Sequence, residues 1–130
     1  MLRTPVVEKL LSLFRALQTG DVNGLADIIP DATTLHVPGE NLLAGAYQGP
    51  IAIGSFIGKR HDLAAAKFEP FGEDVSVTED HGILLYGVKA IRDSQEFISH
   101  EILVAGLDGN EIEVLFLYVF ERDEFDEFWS

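Results

Sequence analysis

The chain has 130 residues, 47% of them hydrophobic, and a formal charge of −13 from 9 basic and 22 acidic side chains. Such a chain suits one domain over 1–130 with a real buried core, and it is too apolar for disorder. The acidity opposes phosphate backbones and anionic membrane surfaces, so neither a nucleic-acid nor a membrane partner is expected; the lack of cysteine excludes disulfides and thiolate chemistry.

No apolar run reaches the roughly 18 residues of a membrane-spanning helix. Met1 to Pro5 lack the apolar segment of a secretion signal, so a cytoplasmic location is expected. Thr4-Pro5 pairs a cap with a first-turn proline, and Val6, Leu10, Leu13, Phe14 and Leu17 follow at helical spacing as far as Gly20, a left-handed stop. Asp21 is placed to cap a second, short helix, with Leu25, Ile28 and Ile29 inward and Pro30 ending it.

Thr33 to Val37 reads as the first strand, broken by a type II turn at Pro38-Gly39. A loop carrying Gly45 and Gly49 leads to a helix from Pro50 to about Ala66. Its apolar stripe is Ile53, Phe56, Ile57 and Leu63-Ala64, with Lys59, Arg60 and Asp62 off it. From Lys67 the pattern changes to strands: 68–77 bent around Pro70 and Gly72, then 83–91, 96–107 and 111–120. The intervening turns are Arg92-Asp93-Ser94-Gln95 and Asp108-Gly109-Asn110. Helices first and an antiparallel meander last define an α+β domain. Residues 83–91 and 112–120 are apolar on both faces, so the outer face needs a cover, and a second copy in a homodimer is the natural one.

The stretch His36-Val37-Pro38-Gly39, with Asn41, Leu43-Ala44-Gly45 and Tyr47-Gln48-Gly49, resembles the SnoaL-like branch of the nuclear transport factor 2-like superfamily. That group includes polyketide cyclases and ketosteroid isomerase. Gly20-Asp21 and the acidic, aromatic ending Phe125 to Ser130 extend the resemblance over nearly the whole chain. It implies a cone-shaped, curved, mostly antiparallel sheet wrapped around three N-terminal helices and enclosing an apolar cavity. Fold alone does not choose the chemistry.

The resemblance places His36 where the isomerase branch keeps its catalytic carboxylate base, and an imidazole titrates in the range such proton transfer needs. The same histidine could instead hold the Pro-Gly loop closed. The isomerase's oxyanion-holding tyrosine corresponds to Leu13, and its protonated carboxylic acid falls on or beside Glu101. His100 competes for that inward place, because a slip of one residue reverses the faces of a strand. Tyr47, Tyr86 and Tyr118 offer hydroxyls to a ligand, and Phe56 and Trp129 offer aromatic walls; all five are equally compatible with a plain core.

His36, His61, His81 and His100 lack metal-type spacing, so no metal site is expected. Two functions follow. One is cofactor-free acid–base proton transfer on a hydrophobic, carbonyl-containing small molecule, as an isomerase or cyclase-type lyase. The other is a non-catalytic module holding a hydrophobic ligand. Epoxide hydrolysis ranks below both, because Arg92-Asp93 reads as a turn rather than part of a cavity.

Overall fold

The structure, a computed structural model, describes residues 5–65 and 67–130. The cap expected at Thr4 and the helix end expected near Ala66 lie outside the described residues. Helix α1 (Pro5–Thr19) turns Leu10, Leu13, Phe14 and Leu17 inward, as their spacing requires. Gly20 ends it at φ +77°, its amide donating to the Ala16 carbonyl at 2.8 Å. The short helix expected after it is reduced to one 3-10 turn, Leu25–Asp27. Asp21 Oδ1 accepts from the Asn23 amide at 3.1 Å, and this local bond competes with helical pairing. With Gly24 next and Pro30 close behind, too few residues remain to nucleate a helix.

Strand β1 (Thr34–Val37) is followed by β2 (Gly45–Gln48), where the sequence suggested only loop. The two pair antiparallel, with His36 opposite Ala46. Helix α2 (Gly49–Leu63) follows, with Pro50 in its first turn. The meander then runs through β3 (Lys67–Val77), β4 (His81–Arg92), β5 (Gln95–Asp108) and β6 (Glu111–Val119). One sheet results, in the order β2-β1-β6-β5-β4-β3, antiparallel except where β1 runs parallel to β6. Register shifts at Phe71/Asp74 and Gly106/Leu107 mark the bulges that bend long strands into a curved sheet.

The helices fill the concave face. The three helical segments expected ahead of the meander are α1, the 3-10 turn and α2, and a further short helix, α3 (Arg122–Phe128), follows β6. Its Phe125 and Phe128, with Trp129, are buried in the main core. Alternation sends Leu84, Tyr86 and Val88 of β4 inward and leaves Ile83 and Leu85 exposed. Ile98, Phe116, Tyr118 and Phe120 are exposed in the same way, giving the outer side of the sheet an apolar surface.

Candidate functional site

Between α1, α2 and the concave sheet lies a cavity of about 10 Å³, room for one water molecule. Leu13 and Leu17 of α1, Ile53 and Phe56 of α2, and Leu103 and Leu117 of the sheet give it apolar walls. Arg60 and Tyr86 also line it, through carbon atoms, with their polar ends turned away toward Glu101. The sequence pattern places Arg60 off the apolar stripe, yet it is only 1% exposed. The signal was present in the numbering: position 60 continues the three- and four-residue steps of Ile53, Phe56 and Ile57 along one helix face.

Arg60 is stabilised there by Glu101. Arg60 Nη1 donates to the two Glu101 carboxylate oxygens at 3.0 and 3.1 Å. Tyr86 donates its hydroxyl to Oε1 at 2.8 Å, and Ser99 Oγ donates to Oε2 at 3.1 Å. All four side chains are buried. The phenyl rings of Phe56 and Phe68 flank the guanidinium at 5.2 and 4.7 Å from its central carbon. Burial alone would make Arg60 easier to deprotonate, but Glu101 and Tyr86 reverse the effect and raise its pKa. Burial first, and then the Glu101 carboxylate, push the Tyr86 hydroxyl well above its ordinary value of 10. Two buried donors, Arg60 Nη2 and Trp129 Nε1, have no hydrogen-bond partner among the described residues.

The other candidates divide by strand register. Glu101 faces inward and His100 outward, the order left open by the sequence. His100 Nδ1 pairs with Glu121 Oε2 at 2.7 Å on the exposed side. Partial burial raises the Glu121 pKa, but hydrogen bonds from the His100 side chain and backbone amide outweigh that and lower it overall. His36 also stands outside. Leu35 and Val37 take the buried places, and His36 stacks on Phe116 with ring centres 4.8 Å apart and planes at 14°. The expectation that His36 opens into the cavity is therefore corrected by the alternation of a four-residue strand whose neighbours are both apolar.

Among the aromatic candidates, Phe56 and Tyr86 line the cavity. Tyr118 is 53% exposed on the outer face and is no part of its wall. Tyr47 packs on Phe56 at 5.3 Å and donates its hydroxyl to the Leu43 carbonyl at 2.7 Å; burial raises its pKa. Trp129 lies one layer further out, against Phe68 and Phe128. Arg92, a turn residue in the sequence reading, donates to the Phe128 and Ser130 carbonyls at 2.8 Å each and holds the C-terminus to the sheet.

Solved structures share this architecture. Bal32a, from a soil-derived mobile gene cassette, superposes with a TM-score of 0.88 at 20% identity, over 97% of each chain. A nuclear transport factor 2-like protein from Burkholderia xenovorans gives 0.74 at 17% identity, over 92% of each chain. A protein from Catenulispora acidiphila with a ketosteroid isomerase-like fold, in complex with trimethylamine, gives 0.70 at 12% identity, over 85% of this chain and 84% of that one. No family model matches the chain, and no curated protein matches it in sequence. The chain has the nuclear transport factor 2-like fold, the one also described as ketosteroid isomerase-like. No helix among the described residues is long and apolar enough to cross a membrane.

Proposed function

We propose that the chain is a binding module of the SnoaL-like kind, which takes a hydrophobic small molecule between α1, α2 and the concave sheet without transforming it. The observation that supports this best is the apolar cavity itself, walled by Leu13, Leu17, Ile53, Phe56, Leu103 and Leu117, with the buried Arg60–Glu101–Tyr86 cluster beside it. Acid–base catalysis fits less well. His36 lies on the far side of the sheet from the cavity, and both Glu101 oxygens are engaged by Arg60, Tyr86 and Ser99. Leu13, at the position of the isomerases' tyrosine, adds an apolar wall where an oxyanion would need a donor.

A ligand must widen the cavity, so part of its binding free energy goes into moving α1 or α2. The test is a thermal-shift panel of polycyclic ketones, steroids, epoxides and fatty acids, since binding to the native state raises Tm. Stabilisation by one class that persists in His36→Ala, with the compound recovered unchanged, supports the module. Turnover that disappears in His36→Ala restores the catalytic reading. No shift from any class removes the ligand.

We propose further that two copies associate through the outer face of the sheet. Ile98, Phe116, Tyr118 and Phe120 stay exposed there after the concave face has taken up the helices.

A further inference from the structure

We propose that association of two copies through the outer face is proton-linked at His100, so that the dimer tightens as pH falls from 8 to 6. This rests on the dimer reading above and names what regulates that contact. Two rows of side chains cross the outer face of β6, β5 and β4: Phe116, Val104 and Ile83, then Tyr118, Ile102 and Leu85. The next row sets His100 opposite Gly87, whose missing side chain leaves room for the Phe71 ring. No Asp, Glu, Lys or Arg stands in these rows, in a chain whose formal charge is −13. Two copies of so acidic a chain repel each other over most of their surface, and an uncharged face is where they can meet. A symmetric contact sets one patch against itself, so any charge on the patch is present twice.

Within those rows only His100 can gain charge near neutral pH. Its Nδ1 donates to Glu121 Oε2 at 2.7 Å, and its amide donates to Oε1 at 2.7 Å. A carboxylate only accepts, so the incoming proton goes to Nε2. Partial burial opposes the ionisation of Glu121, but the bonds from His100 outweigh it and hold its pKa below the ordinary value. With His100 neutral, each copy brings an uncompensated carboxylate to the contact. With His100 protonated, it brings an ion pair of no net charge. Taking a lone carboxylate out of water costs more than taking a paired one, so His100 holds its proton more firmly in the dimer than in the single chain. The added stability is complete at the acid end of the range and is lost as pH rises through the raised value. The other charges around His100 are Lys89, paired with Glu96 at 3.8 Å, Glu69, paired with Lys67 at 3.2 Å, and Asp74, opposite Leu85 on β3. Glu101 faces the other side of the sheet. His36 and His81 lie at the margins of the face: His36 is on β1, lining a hollow with Asp108, Glu111 and Glu113, and His81 opens β4.

Sedimentation equilibrium of the full chain from pH 8 to pH 6 gives the dimer Kd, in about 0.5 M salt so that the long-range repulsion is screened within about 4 Å. Kd is expected to fall at least about tenfold between pH 8 and pH 6. His100→Gln keeps a neutral donor for Glu121 and should hold Kd within about twofold over the same range. Glu121→Gln should reverse the sign, with Kd rising toward pH 6, because the imidazolium then enters the contact unpaired. His36→Gln/His81→Gln should keep the wild-type slope. Circular dichroism checks the fold of each variant, and the wild type with His100→Gln decides alone should Glu121→Gln unfold. A wild-type Kd that is flat or rises toward pH 6, or a slope that persists in His100→Gln, overturns the proton linkage and leaves the dimer standing. A monomer at every pH overturns both.

Discussion

Arg60 on α2 and Glu101 on β5, 41 positions apart, form an ion pair in which both side chains are 1% exposed. The pair ties the helix layer to the sheet beside the cavity. Its attraction offsets the dehydration of two charges only while both are present.

Removing one partner is therefore expected to cost more than removing both. Glu101→Ala should lose about 3–5 kcal/mol of stability, because it leaves a buried guanidinium unpaired. Arg60→Met/Glu101→Leu should recover most of that loss. Urea unfolding of the wild type and the variants measures the difference. Equal losses in the single and double variants would show that packing, not charge, dominates at this position.

Tyr86 gives the fold a sensitivity to alkali. Its folded pKa lies well above 10, raised by burial and then by Glu101, so the unfolded chain gives up this proton first as pH rises. The contribution is intact below pH 10 and is lost above it. Tyr86→Phe should flatten the decline of Tm above pH 10, at a cost of about 1 kcal/mol near neutrality for the lost bond to Glu101. Ultraviolet titration should find one of the 3 tyrosines ionising only as the protein unfolds.

The C-terminal helix is held at its last turn from two sides. Arg92 binds the Phe128 and Ser130 carbonyls, while Asp126 Oδ1 accepts from Asn41 Nδ2 at 2.6 Å and from the Glu40 amide at 3.1 Å. Arg92→Ala should speed amide exchange across residues 122–130 and leave the protection of β4 and β5 intact, a local opening rather than global unfolding. Trp129→Ala should instead lower global stability by about 3–5 kcal/mol, because the indole is buried in the main core.

The outer face carries the dimer prediction. Tyr118 and Phe120, 53% and 62% exposed, lie on it. Sedimentation velocity at micromolar concentration should show a dimer for the wild type and a monomer of unchanged far-ultraviolet circular dichroism for Tyr118→Glu/Phe120→Glu. A monomeric wild type would sink the association.

Much of the fold was legible because its signals are local. The Leu10, Leu13, Phe14 and Leu17 spacing, Gly20 at positive φ, Pro50 in the first turn of α2 and the Asp108-Gly109-Asn110 turn each act within a few residues. The failures also have local causes. β2 is four residues long and gains its place only by pairing with β1, and the segment after Gly20 hydrogen-bonds to its own Asp21 side chain. Arg60 escapes the local pattern because arginine is rarely fully buried without a partner, and its partner lies in a different element.

The candidate site was less legible, for one physical reason. Sequence by itself determined the α+β class, the outline of the meander, and a short set of polar residues that includes Glu101 and Tyr86, since periodicity and turn chemistry depend on near neighbours. Only the tertiary structure decided which of those residues meet in the buried cluster beside the cavity. Strand register put Glu101 inside and His100 outside, flanking apolar residues turned His36 away, and the packing of α2 on the sheet brought Arg60 to Glu101. Those outcomes turn on single-residue offsets between segments far apart in the chain, and no local pattern encodes them.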